Sequence, residues 1–144
     1  MEPRISDFGI AKHLDQSSTS APSTAISGTI GYIAPENAFT TTKGKESDVY
    51  SYGVVLLELI TRKTPSDPSF TEKMDIVGWV RSVWSETQQI TMIVDLFLLD
   101  ETVDSHIAKQ VIGMLLIALK CSDKEPNNRP TMRDVINQLL DLKS

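Results

Sequence analysis

Asp7, Phe8 and Gly9 form the first group in the chain with chemistry to offer. A carboxylate is the ligand a hard cation such as Mg²⁺ prefers, and Mg²⁺ takes few protein ligands because it keeps much of its water. A glycine beside it gives the backbone freedom to turn. The second group is a store of hydroxyls. Between Ile10 and Ile33 stand Ser17, Ser18, Thr19, Ser20, Ser23, Thr24, Ser27, Thr29 and Tyr32. A phosphoryl group on such a side chain adds about −1.5 to −2 charge and three acceptor oxygens, enough to order a loop against basic residues. Ala34-Pro35-Glu36 closes that loop. Each group also has an ordinary alternative: a chance triplet in a turn, a solvated polar loop, an exposed charge. Cys121 is the one cysteine, which excludes an internal disulfide, and with no Cys/His cluster a structural zinc site is not expected. It ends an apolar stretch, so a buried, inert thiol is expected. His13 and His106 lack any partner spacing and are expected in surface or packing roles.

The elements that must position these groups divide the chain in two. Residues 1 to about 45 are rich in Gly, Pro, Ser and Thr without an apolar period, as loops are. From Glu46 the pattern is helical. Ser47-Asp48 suggests a cap, and Val49, Tyr52, Gly53, Leu56, Leu57 and Ile60 share one face. Val54, Val55 and Leu59 fill much of the other side, which predicts a buried central helix over Ser47 to Thr61. Gly53 inside it costs about 1 kcal/mol relative to Ala, which points to close approach of another segment. Thr64 to Pro68 reads as a loop. Helical patterns resume over Asp75 to Glu86, with Ile76, Val77, Val80, Val83 and Trp84 on one stripe, and over Ile107 to Cys121. After Pro130, Thr131 with Asp134 three residues on approximates a capping box, and Val135, Leu139, Leu140 and Leu142 are the expected buried face of the last helix.

The 144 residues suffice for one domain with a core, and 40% hydrophobic with 23% charged residues is ordinary for a globular chain. A net charge of −5 gives no support for nucleic-acid or anionic-membrane binding. The N-terminus has no apolar signal region, and the run from Gly53 to Leu57 is interrupted at Glu58, far short of the ~20 residues that span a bilayer. A soluble, cytosolic chain without membrane insertion is therefore expected.

Residues 28–36 read GTIGYIAPE, residues 48–53 read DVYSYG, and residues 127–132 read NNRPTM. With Asp7-Phe8-Gly9 ahead of them, their order and intervals closely resemble the late subdomains of the eukaryotic protein kinase fold, over the whole chain. SDFGIAK, KGKESDVYSYGVVLLELITRK and RPTMRDVINQLL further resemble the plant leucine-rich-repeat receptor-like serine/threonine kinases, nearest the receptors for endogenous Pep peptides. The resemblance implies a mainly α fold: the C-terminal (large) lobe of the kinase fold, incomplete, starting at Asp-Phe-Gly. Residues 1–36 would hold the activation segment and residues 46–144 the lobe's helices.

By the same resemblance Asp7 holds a Mg²⁺ that bridges the ATP phosphates, while Gly9 and Phe8 let the triplet change position. Thr24 and Thr29 are the leading phosphorylation candidates, and the Thr29 hydroxyl also touches the catalytic base and Lys. Gly28, Thr29, Gly31 and Tyr32 form the substrate-docking loop, Glu36 and Arg129 a buried ion pair, and Asp48 the anchor of the catalytic-loop backbone. A kinase also needs a Gly-rich loop, a phosphate-binding Lys and a catalytic loop, all of which precede Asp-Phe-Gly. The intact parent is thus expected to use Mg²⁺ and ATP on protein substrates, with a co-receptor kinase as partner, on the cytoplasmic side of the plasma membrane. The chain as given is expected to be inactive, to hold no catalytic residue and to bind neither cofactor stably. A non-catalytic, kinase-derived binding module or decoy is the alternative, and a partial gene product a further one. A patch over Val54, Val55 and Leu59 is expected to stay open and make the isolated chain marginal.

Overall fold

In this computed structural model the described residues are 30–38, 44–71, 74–95 and 105–143. Among these described residues, four α-helices carry the core: α1 (Lys45–Thr61), α2 (Ile76–Thr87), α3 (Ser105–Cys121) and α4 (Met132–Lys143). Short 3₁₀ turns stand at Pro35–Ala38, Ile90–Met92 and Pro126–Asn128.

α1 is the strut on which the rest packs. Val49, Tyr50, Val54, Leu56, Leu57 and Ile60 are buried along it. Its start differs from the sequence expectation. The helix begins at Lys45 behind an extended Gly44 that makes no side-chain cap. Ser47 is not the cap, because its hydroxyl is committed elsewhere: it donates to Asn37 Oδ1 at 3.1 Å and to Glu36 Oε1 at 3.3 Å. Glu46 and Asp48 still place negative charge in the first turn, where the helix dipole favours it. The expected open patch is also narrower. Val54 is fully buried, while Val55 and Leu59 are 40% and 65% exposed.

α3 crosses α1 at Gly53. A Cβ there would lie 2.7 Å from Cys121 Cβ and 3.0 Å from both the Ala118 carbonyl oxygen and the Ser122 nitrogen. Only a residue without a side chain admits that approach, so α1 accepts a glycine in mid-helix. Val111, Leu115, Ala118 and Cys121 line the seam from the α3 side, and burial pushes the Cys121 thiol up to about 11.

α2 starts at an Asp75 cap whose carboxylate accepts from the Gly78 N–H at 2.7 Å. Ile76, Val77 and Val80 are buried, with Val83 and Trp84 half-buried on the same stripe. Before it, Lys63 Nζ lies 5.7 Å from the Phe70 ring and 5.5 Å from the Trp79 ring, fastening the connecting loop.

α4 opens with a full capping box. The Asp134 N–H donates to Thr131 Oγ1 at 3.2 Å, and the Thr131 N–H donates back to Asp134 Oδ2 at 3.1 Å. The Thr131 hydroxyl, donating to Asp134 Oδ2 at 2.6 Å, and then the Thr131 N–H hold the Asp134 carboxyl below its usual range. Val135 is buried, and Leu139 and Leu142 are half-buried. Leu140 is not part of that face: it is 58% exposed, since only a narrow stripe of α4 meets α3. No helix among the described residues is long and apolar enough to cross a membrane.

Candidate functional site

The site is a strap, residues 30–38, laid against α1. Three side chains of α1 receive it. Tyr32 Oη donates to Glu58 Oε2 at 2.7 Å, Ser51 Oγ donates to the Tyr32 carbonyl at 2.7 Å, and Ser47 reaches Asn37 and Glu36. Gly31 adopts φ +95°, a conformation side chains disfavour, and its Cα sits so close to Pro65 that no Cβ could be accommodated. Ala34 is fully buried and Ile30 is 83% exposed. The Tyr32 hydroxyl is held above its usual range, chiefly by its bond to the Glu58 carboxylate.

The far end of the strap is stapled by Arg129, a residue 93 positions away. Its Nη1 and Nη2 donate to the two Glu36 carboxylate oxygens at 2.7 and 2.8 Å, a bidentate fork. The remaining donors reach backbone carbonyls: Nε to Asp123 at 2.8 Å, Nη1 to Glu46 at 2.9 Å and Nη2 to Lys124 at 3.3 Å. All five guanidinium N–H groups thus have an acceptor. The guanidinium carbon also lies 4.9 Å from the Tyr50 ring centroid. The Arg129 side chain is fully buried and that of Glu36 is 23% exposed. Arg129 holds the Glu36 carboxyl below its ordinary value, against the opposing push of burial.

The structure therefore brings together Gly31, Tyr32, Glu36 and Arg129 around α1. Asp48 lies exposed in the first turn of α1. Asp7, Thr24, Gly28 and Thr29 lie outside the described residues. Among the described residues no group of three or more His, Cys, Asp or Glu could hold a metal ion. Sequence reasoning missed the receiving side chains Ser47, Ser51 and Glu58. Their signal was present: at about 100° per residue the three fall within roughly 40° of one another, a polar stripe on an otherwise apolar helix. A shallow hollow between α3 and α4, lined by Gln110, Met114, Leu139, Leu142 and Lys143, shares no residue with the strap.

The helical order, the strap and its staple define the large lobe of a protein kinase. Residues 1–140 match the family model described as the protein kinase domain, and the chain belongs to that family. It is 66% identical over 139 residues to a receptor-like protein kinase of Ipomoea nil, a match covering 96% of this chain and 12% of that protein. It is 52% identical over 148 residues to the leucine-rich repeat receptor-like protein kinase PEPR1 of Arabidopsis thaliana, covering 99% of this chain and 13% of that protein. The PEPR2 kinase of the same plant is 53% identical, covering 100% of this chain and 13% of that protein. The chain thus spans about an eighth of the length of these relatives. Among solved structures, the pseudokinase domain of BIR2, an immune regulator of the RLK/Pelle family, superposes with a TM-score of 0.67 at 28% identity. That likeness covers 81% of this chain and 34% of the other. Protein kinases as a family use ATP and Mg²⁺.

Proposed function

We propose that this chain is the activation-segment and helical-lobe portion of a receptor-like serine/threonine kinase, working on the cytoplasmic side of the plasma membrane. In the intact parent its task is to hold a protein substrate's hydroxyl where a phosphoryl group can reach it. The observation that supports this best is the strap itself. Two anchors at Tyr32 and one staple at Glu36 fix residues 30–38 on a buried helix, which is what a docking surface needs if it is to position without moving. Mg²⁺ and ATP supply the phosphoryl group and the charge that neutralises it in transfer. Asp7 is assigned to hold the metal, Gly28, Thr29, Gly31 and Tyr32 to dock the substrate, Thr24 and Thr29 to accept regulatory phosphate, and Asp48 to anchor the catalytic loop. Protein substrates and a co-receptor kinase are the partners.

The test is made in the intact parent kinase. Asp7→Asn removes the metal's negative ligand at constant volume, so phosphotransfer should be abolished with folding intact. Near-normal turnover at saturating Mg²⁺ would overturn the metal assignment. Thr29→Ala should lower activity and Thr29→Ser should keep it, while phosphorylated Thr24 should raise it. A second reading, a non-catalytic binding module, is favoured by the likeness to a pseudokinase domain. It predicts partner binding that survives Asp7→Asn unchanged, with no phosphate incorporated by the unaltered protein.

A further inference from the structure

Residues 30–33 form a turn, and one tyrosine ties it to α1 at two points. The Tyr32 hydroxyl donates to Glu58 Oε2 at 2.7 Å, and the Tyr32 carbonyl accepts from Ser51 Oγ at 2.7 Å. Ser51 and Glu58 stand two helical turns apart on α1, within about 20° of each other and about 10 Å apart along the axis. Tyr32 therefore lies along the helix, gripped by its backbone and by its tip. Beside it Gly31, at φ +95°, is pressed against Pro65. Ile30 is 83% exposed and adds little hold. The Ser51 hydroxyl has a second acceptor within reach: the Ser47 carbonyl, at 3.1 Å. A hydroxyl has one proton to donate. The Ser47 carbonyl already receives the Ser51 N–H in the helix ladder, so α1 does not need that proton. The turn does.

We infer that Ser51 is a positioning residue for substrate docking: through the Tyr32 carbonyl, its hydroxyl sets where the turn at residues 30–33 lies, and so how well a protein substrate seats on it. The seating rests on the docking role proposed above for Gly31 and Tyr32; the hold on the turn does not. Ser51 acts through Tyr32 and not on a reacting group. Its loss should therefore appear in how tightly substrate is held, and not in the phosphoryl-transfer step. The size expected is that of one neutral hydrogen bond, about fivefold in an equilibrium. Global stability should hardly move, because Ala recovers in helix propensity part of what the lost bond costs. Thr keeps the hydroxyl and, in a helix, also reaches the carbonyl one turn back, so it is the conservative replacement.

Two measurements separate the hold from its use. In the 144-residue chain, tyrosine labelled with ¹³C at the carbonyl gives three resonances, and Tyr32→Phe identifies that of Tyr32 by its disappearance. Ser51→Ala should move that resonance upfield, as a carbonyl moves on losing a donor, and Ser51→Thr should leave it near its place. In the intact parent, with dephosphorylated casein as acceptor, Ser51→Ala should raise the KM for casein about fivefold, with kcat and the KM for ATP changed by less than about twofold. Ser51→Thr should restore the KM. An unmoved resonance in Ser51→Ala shows that the proton goes to Ser47 and overturns the proposal. A moved resonance with unchanged KM overturns the docking role. So does a fall in kcat as large as the rise in KM, joined to a lower urea midpoint, which would assign Ser51 to the fold alone. A parent that incorporates no phosphate, on casein or on itself, defeats the function proposed above and the seating with it, while the resonance still decides the hold.

Discussion

Two of the joints between α1 and distant parts of the chain, the Glu36–Arg129 staple and the α1–α3 seam, work by different physics. At the Glu36–Arg129 staple the contact is directional: five donors meet five acceptors around one fully buried guanidinium. At the α1–α3 seam it is steric: Gly53 admits Cys121 and the Ala118 and Ser122 backbone to within van der Waals distance. A buried ion pair recovers little net energy over an apolar replacement, because both charges must be desolvated, yet it is expensive to break from one side. Apolar burial works the other way, adding roughly 25 cal/mol per Å² of area removed from water. The comparison teaches a division of labour. The seam supplies cohesion, and the staple fixes where the far end of the strap lies.

The sharpest break of that comparison is Arg129→Ala. It removes every bond of the fork and leaves the Glu36 carboxylate against the protein, with an expected loss of about 3–5 kcal/mol. Set against the 5–15 kcal/mol that holds a typical domain together, that can unfold the chain. Urea unfolding at constant m measures it. A loss below about 1 kcal/mol would show that water replaces the fork without penalty. Acid should reproduce part of the effect. The Glu36 carboxyl is depressed below its ordinary 4.5 in the folded state, so its contribution is present above that value and is lost as pH falls through the folded one. Between pH 6 and pH 3 the difference between the unaltered chain and Arg129→Ala should therefore shrink.

The second break is at the seam. Gly53→Ala gains about 1 kcal/mol of helix propensity but drives a methyl into Cys121 Cβ and two backbone atoms, none of which is the free end of a flexible side chain. Overpacking of that kind costs about 1–3 kcal/mol, so a net loss of up to about 2 kcal/mol is expected. Cys121 is fully buried, with its thiol pushed up to about 11, and so reports on the seam directly. A thiol reagent at pH 8 should leave it unlabelled in the native chain and label it faster in Gly53→Ala. Stabilisation by Gly53→Ala, with labelling unchanged, would show that the helices can move apart freely.

The seam was more legible in the sequence than the staple's surroundings. A glycine in mid-helix carries a local cost, and that cost can be read without knowing what lies opposite. The capping box at Thr131 was legible for the same reason, since both partners sit within four residues. The Glu36–Arg129 pair spans 93 positions, and no periodicity links its members; it came from motif resemblance. Ser47 shows the limit. By local rule a serine at a helix start is a cap, but tertiary partners at Asn37 and Glu36 outbid the helix's own N–H groups. Leu140 misled in the opposite way. At about 100° per residue it lies roughly 140° round the helix from Val135 and 100° from Leu139, so its spacing already set it off the buried stripe and only its apolar side chain had suggested otherwise.

The smallest expected effect lies on the third face of α1, which neither joint uses. Leu59 is 65% exposed and Val55 40% exposed, on a helix otherwise buried along Val54, Leu56, Leu57 and Ile60. A side chain that open loses little on becoming polar, and surface changes away from special features usually fall within ±0.5 kcal/mol. Leu59→Gln should therefore leave the urea midpoint nearly unchanged. What should change is adhesion. Exposed apolar surface recruits hydrophobic dye and favours association, so the substitution should lower dye fluorescence and slow aggregation. If Leu59→Gln instead costs more than about 1 kcal/mol, the third face is packed in solution, and α1 is held on that face too.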